Sequence, residues 1–310
     1  MSIVVSIIMP MKNAEEYVHE AIMSILNQKF KDFELIVVDD GSTDRSRDIV
    51  ESIEDSRVNI ISGNETGAAD AFNLALNLVK GKYVSNCDAD DLYTIDRLIG
   101  QVEWLDSNDD YAAICGNYSS MDEKGRIVSH FECGLKGEDI SKELLSGKTR
   151  TSFCTFVTRC EVLRDLQGYR SYFISAYDID LQLRLAGGGY KVWFEPENTY
   201  LYRLHNSSIT HTQGSNKREF YEATARTFLE QRLSKGADQL QYGVPPIPPV
   251  GDNKPKKSNE QIVGYLVGES WSLHAKKQKK PALLMAFRAC KKMPMDWRVW
   301  KNIFMVLVKR

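Results

Sequence analysis

Two acidic clusters carry the clearest potential for chemistry, Asp39-Asp40-Gly41-Ser42 and Asp88-Ala89-Asp90-Asp91. Each follows an apolar run, Glu34–Val38 or Tyr83–Cys87, whose length and β-branched content predict a buried strand. In an open α/β sheet ligands bind beyond the carboxyl ends of the strands, so the two clusters open on one crevice. Carboxylates confined there repel one another unless a cation or hydrogen-bond donors balance them. A hard divalent ion, Mn²⁺ or Mg²⁺, held by one or two carboxylates plus phosphate oxygens is the usual balance. The simpler reading of each cluster is a turn and helix cap, roles Asp also favours, and Asp44 fits only that role.

The elements that must position these acids follow from periodicity. Val4–Met9, Val58–Ser62 and Ala112–Cys115 read as further strands, with helical spacing in Glu15–Asn27, Thr43–Ile53, Ala68–Val79 and Thr94–Leu105 between them. This alternation predicts an α/β fold, a mostly parallel sheet with helices on both faces. Beyond it, Gly137–Gly147 and Ile179–Ala186 read as helices, and Ser152–Val157, Lys191–Phe194 and Tyr200–Leu204 as strands. Asn216–Leu233 reads as a long polar helix. Gly243–Glu260, with five of the nine prolines, reads as a linker. Helical stretches Gln261–Lys277, Ala282–Lys291 and Trp297–Val308 follow. The expected organisation is a domain over 1–242 (halves 1–120 and 121–242), a linker over 243–260 and a helical extension over 261–310.

Composition narrows the function classes. The 310 residues are 43% hydrophobic and 26% charged, the proportions of a globular protein. Six cysteines without C-x-x-C pairing argue against a zinc site or disulfide framework and for a reducing, cytoplasmic setting. The first strand-to-helix turn, Pro10–Ala14, has no glycine, which excludes the dinucleotide fingerprint. Gly147-Lys148-Thr149 ends like a phosphate loop, but Lys142 stands where its first glycine is needed. From Trp271 to Arg310 eleven Lys/Arg face one acid, Asp296; this segment carries +10 and the other 270 residues, within a total of −2, carry −12. An acidic body argues against nucleic acid as a partner.

Four ordered blocks then carry a resemblance. Val5–Asp44, Gly67–Asp91, Asp178–Tyr190 and Tyr202–Thr210 resemble family-2 glycosyltransferases, inverting enzymes of the GT-A fold. The resemblance implies transfer of a sugar, hexosyltransferase-type, from a nucleotide-sugar to an acceptor hydroxyl. A UDP-sugar is the expected donor. Pro10, Asn13, Asp39 and Asp88 fall at nucleotide-sugar-binding positions, with Asp39 on the base and Asp88 towards the ribose. Asp90 matches the metal ligand of the D-x-D pair, Asp178 the general base, and His205 a histidine that some members bring to the metal or diphosphate. Asp70 and Asn73, in a D-A-x-N variant, are expected to face the donor.

Departures are Tyr177 for the Glu of the Glu-Asp dyad, Lys12 for a common aromatic residue, and Phe72 for a common Arg. Asp178 could instead pair with Arg184 on its own helix, and His205 could be a structural hydrogen-bonder. Trp193, Tyr200 and Tyr202 fit strand packing. A nucleotidyltransferase and a degenerate, non-catalytic nucleotide-sugar-binding protein are the competing classes. The resemblance also makes surface-polysaccharide or glycolipid synthesis on a lipid-linked acceptor the expected setting. Trp297–Val308, with aromatic residues at helical spacing and Lys/Arg edges, adds an expected peripheral contact with an anionic membrane, the inner face of the plasma membrane.

Overall fold

A computed structural model describes residues 3–208, 215–251 and 257–309. Ile209 and Thr210 of the fourth family block, and residues 252–256 of the expected linker, lie outside the described residues. The chain divides into two compact units: Met1–Tyr118, Glu132–Leu201 and Lys217–Pro249 form the first, and Ser119–Phe131, Tyr202–Asn216 and Val250–Arg310 the second. The division is not contiguous in the chain, because residues 119–131 and 202–216 group with the C-terminal helices.

In the first unit β1 (Val5–Met11), β2 (Phe33–Asp39), β3 (Val58–Ser62) and β4 (Tyr83–Asn86) alternate with α1 (Val18–Leu26), α2 (Ser46–Glu51) and α3 (Ala68–Leu76). β5 (Leu92–Tyr93) and α4 (Arg97–Asp106) follow, then β6 (Tyr111–Met121). Later come β8 (Glu138–Asp139), α5 (Ser141–Leu145), β9 (Val157–Arg159), α6 (Cys160–Asp165), α7 (Tyr177–Gly187), β10 (Lys191–Arg203) and α8 (Ser215–Lys235). The sheet runs β3-β2-β1-β4-β9-β6-β10-β5. β1, β2, β3 and β4 are parallel, as expected, whereas β9 is antiparallel to β4 and β6.

Two local expectations need correction. Ser152–Val157 is a 3₁₀ turn, Phe153–Thr155, before the short β9, because its small and aromatic residues bury without an alternating pattern. Lys191–Phe194 and Tyr200–Leu204 are one thirteen-residue strand, β10. Its polar middle, Glu195–Asn198, reads as a loop by composition. Tertiary partners carry the strand through: the Asn117 amide donates to the Pro196 carbonyl at 2.9 Å.

The parallel register places the acids. Met11 pairs with Asp39, so β1 and β2 end together, while β4 stops at Asn86 opposite Ile8, three residues before the end of β1. Successive strands wind to one side of β1 through β2 and β3, then return to its other side as β4. That reversal is a topological switch point, where a sheet opens a crevice.

In the second unit the end of β6 and β7 (Ile127–Phe131) form a hairpin closed by the Asp122 amide on the Arg126 carbonyl, 3.0 Å. It packs with α9 (Ser258–Ala275), α10 (Lys279–Lys292) and α11 (Trp297–Val308) around Val128, Ile262, Leu266, Ala286, Val299 and Ile303. No helix among the described residues is long and apolar enough to cross a membrane.

Candidate active site

Beyond β4 the chain turns sharply, the Asp91 amide donating to the Asp88 carbonyl at 3.1 Å. An aromatic and cationic bed fixes this turn. The Asp88 amide donates to the Tyr200 hydroxyl at 3.1 Å, and the Tyr93 hydroxyl donates to the Asn86 carbonyl at 2.8 Å. Arg97 lies 3.9 Å from the Tyr93 ring centroid and donates to Ser85, Cys154 and Phe156. Tyr200 is indeed buried strand packing, but its hydroxyl also holds the D-x-D turn. Sequence reasoning missed Tyr93 and Arg97. The available signal was an arginine on the apolar stripe Arg97, Leu98, Gln101, Val102, Leu105 of α4, where an unpaired charge would be costly.

Asp88, Asp90 and Asp178 converge. Burial first, then the charges of Asp90 and Asp178, push the Asp88 carboxyl up to about 7. Asp178 sits in the first turn of α7, 90 residues further along the chain. Burial raises its carboxyl, while the Ile179 backbone amide and the charge of Arg218 pull the other way. The residue before the helix is strained: Ala176 has φ 59°, a left-handed conformation costing an alanine roughly 1–2 kcal/mol. Such strain persists only where surrounding packing over-determines it. Here it fixes the direction in which α7 presents Asp178.

Arg184 does not pair with Asp178. It donates to Asp180 at 2.8 Å, and Arg170 makes a two-pronged bond to the same carboxylate. Arg170 also reaches Asp238 at 2.7 Å, and Arg232 reaches Asp238 at 2.5 Å. This buried lattice ties α7 to α8 and to the segment before α7. Burial alone would raise the Asp238 carboxyl, but hydrogen bonds from Arg170 and Arg232 outweigh it and hold the group below its ordinary 3.8. Asp238→Asn should therefore cost about 3–5 kcal/mol at neutral pH, since it strands buried cations. The stabilising share of a lowered carboxyl is present above the unfolded value and lost as pH falls through the folded one. The deficit should accordingly shrink in acid, and urea unfolding at neutral and acidic pH measures both. An equal midpoint at neutral pH would show that the lattice adds nothing.

Asp70 and Asn73 act on the segment before α7. The Asn73 amide accepts from the Tyr169 amide and donates to the Tyr169 carbonyl, each at 2.8 Å, and Asp70 accepts from the Ser171 hydroxyl. Gly168 next to this clamp has φ 63°, and a Cβ there would run into the Asn73 side chain, so glycine is required. Two of the three departures from the family pattern meet on one ring: Phe72 lies 4.5 Å and Tyr177 4.9 Å from Tyr169, centroid to centroid. Where charged residues were expected, an aromatic wall stands beside Asp178.

At the end of β2 the Asp39 carboxylate accepts from the Ser42 amide at 3.0 Å and lies 3.4 Å from Arg47. Its neighbour Asp40, part of the acidic cluster but given no separate role from sequence, accepts from the Gly67 amide at 2.8 Å, joining β2 to the start of α3. Asn13, at φ 52°, accepts from the Thr43 amide at 2.8 Å, which latches the β1 and β2 loops together next to Pro10. Asp44 caps as expected, accepting from the Ser46 and Glu15 amides.

His205 belongs to the second unit, where its Nδ1 lies 2.8 Å from the Ser207 hydroxyl. Among the described residues no three His, Cys, Asp or Glu side chains form a ready-made cation cage. The hard carboxylates of Asp88 and Asp90 nonetheless suit a divalent ion that shares its shell with phosphate oxygens, which would offset the burial and like charge that raise Asp88.

Comparison with known proteins agrees with this architecture. Residues 6–167 match the sequence profile described as Glycosyl transferase family 2. The chain is 28% identical over 263 residues to glycosyltransferase GlyG of Streptococcus pneumoniae, covering 79% of this chain and 83% of that one. It is 33% identical over 214 residues to the Escherichia coli UDP-Glc:alpha-D-GlcNAc-diphosphoundecaprenol beta-1,3-glucosyltransferase WfaP, covering 66% and 79%. Staphylococcus aureus TarS residues 1–349, solved with UDP-GlcNAc, shares the GT-A fold at TM-score 0.63 and 18% identity, over 97% of this chain and 84% of that one. With its mostly parallel sheet and acids at the strand ends, the chain belongs to glycosyl transferase family 2.

Proposed function

We propose that the protein is an inverting glycosyltransferase that moves a sugar from a UDP-sugar to the hydroxyl of a lipid-linked saccharide in surface-polysaccharide synthesis. The observation that carries this reading is that Asp178, in the first turn of α7, and Asp90 lie near enough to Asp88, just beyond β4, for their charges to raise its carboxyl. The donor is inferred from the UDP-sugar in the name of the E. coli relative and the UDP-GlcNAc bound to TarS. The acceptor is inferred from the diphosphoundecaprenol in the former. Asp39 and Asn13 border the nucleotide, Asp88 the ribose, and Asp90 holds Mn²⁺ or Mg²⁺. Bound there, the ion supplies Lewis-acid stabilisation of the departing diphosphate.

In the reaction the acceptor oxygen forms a bond to the anomeric carbon as the bond to the diphosphate oxygen breaks. The nucleoside diphosphate leaves with that electron pair, and Asp178 takes the acceptor proton. An acceptor hydroxyl ionises far above neutral pH, so a positioned base is needed, and a carboxylate raised by burial is a stronger one. Attack opposite the leaving group gives inversion. Phe72, Tyr169 and Tyr177 form an apolar wall that limits water beside the base.

A screen of UDP-, GDP- and dTDP-sugars with Mn²⁺, read by released nucleotide, tests the proposal. Release should be largest with a UDP-sugar and rise when a lipid-linked saccharide is added. Binding without turnover across the panel would favour the non-catalytic reading, and pyrophosphate release from a nucleoside triphosphate would favour nucleotidyl transfer.

A further inference from the structure

The second unit leaves an apolar face open. α11 buries Val299, Ile303 and Val306 in that unit's core. Its opposite side exposes Trp297 (67%), Trp300 (55%), Phe304 (62%) and Val308 (61%), spaced three and four residues apart. α10 behaves alike: Ala282, Ala286 and Ala289 face inward, while Leu284 and Phe287 are exposed between Lys280 and Lys291 on the same stripe. Met295, in the turn between the helices, is almost wholly exposed. Exposed aromatic and aliphatic side chains in this number are unusual on a solvated surface and mark a partner.

The charges around the face say which partner. Lys276, Lys277, Lys279, Lys280, Lys291, Arg298, Lys301 and Lys309 are exposed, and the one acid of the segment, Asp296, is taken up by Arg298 at 2.6 Å. Lys301 lies 5.4 Å from the Trp297 ring and Lys309 5.3 Å from the Trp271 ring, so cations and indoles share one layer. The Trp300 indole donates to the Pro294 carbonyl at 2.8 Å, which satisfies its polar edge and leaves the ring free to enter an apolar phase. A second copy seated on this face would press two cationic rims together, a costly arrangement. A bilayer surface with anionic headgroups accepts both parts, the apolar side chains at the acyl boundary and the cations among the phosphates.

We propose that α11, with the exposed stripe of α10, is a docking face for an anionic lipid bilayer, entered by Trp297, Trp300 and Phe304 and steered by the surrounding lysines. Vesicle binding needs neither donor nor acceptor, so its failure and a failure of sugar transfer are separate results. The test is flotation of the full chain with vesicles of phosphatidylcholine alone, or mixed with phosphatidylglycerol, at low and high salt. Binding should require the anionic lipid and weaken with salt. The Trp300→Ala/Phe304→Ala double variant should lower it roughly tenfold or more, since it removes both rings from the apolar layer they would enter. Both side chains are exposed, so the variant should keep the wild-type melting temperature. Three outcomes would overturn the proposal: no flotation under any condition, equal flotation with neutral lipid, or lipid-free self-association abolished by the same variant.

Discussion

Asp178→Asn should lower turnover about 10²–10⁴-fold while donor affinity, measured by calorimetry, stays unchanged. Asparagine keeps the size of the side chain and its place in the first turn of α7, but it cannot take a proton. The lattice of Arg170, Arg184, Asp180 and Asp238 holds the helix independently of this side chain, so the fold should survive. A second readout separates a base from a binding residue. Burial raises the Asp178 carboxyl, so the wild-type turnover should fall with pH at a value above the ordinary carboxylate range. The variant should lose that acid limb. Normal turnover in the asparagine variant would mean that the proton leaves by another route and that the assignment on α7 is wrong.

The second large effect concerns Asp90. Asp90→Ala should abolish both transfer and donor hydrolysis, and chelation of the wild type with EDTA should do the same until Mn²⁺ or Mg²⁺ is restored. Stability should move in the opposite direction. In the free protein Asp90 is one of the charges that push Asp88 up, so removing it relieves repulsion. The metal-free variant should melt no lower than the wild type, and the rise in melting temperature that Mn²⁺ gives the wild type should be absent. Full activity in EDTA would remove the metal from the mechanism, whatever the effect on folding.

Much of this site was legible in the sequence because its parts are local. The strand runs before Asp39 and Asp88 are short, apolar and β-branched, and the parallel register between them follows from strand–helix alternation. Acids at the ends of such strands must share a crevice, whatever the rest of the chain does. Capping by Asp44 is equally local, a carboxylate within reach of amides two residues away or in the adjacent loop.

The tertiary structure decided what depends on distant partners. Helical spacing offers Arg184 the carboxylate of Asp180, four residues before it, and not Asp178, six before it. Only packing brings Arg170 and Asp238 into that network and sets Asp178 with the acids of the crevice. Asn73 looked like a donor contact, yet both ends of its amide lie on the backbone of a residue 96 positions away. The tail shows the same limit. Its sequence pattern gives α11 two apolar sides, Val299-Ile303-Val306 and Trp297-Trp300-Phe304. Periodicity cannot rank them, because both recur at helical spacing. The branched aliphatic side was buried, where it interdigitates with Ile262 and Ala286, and the bulky aromatic side was left outside.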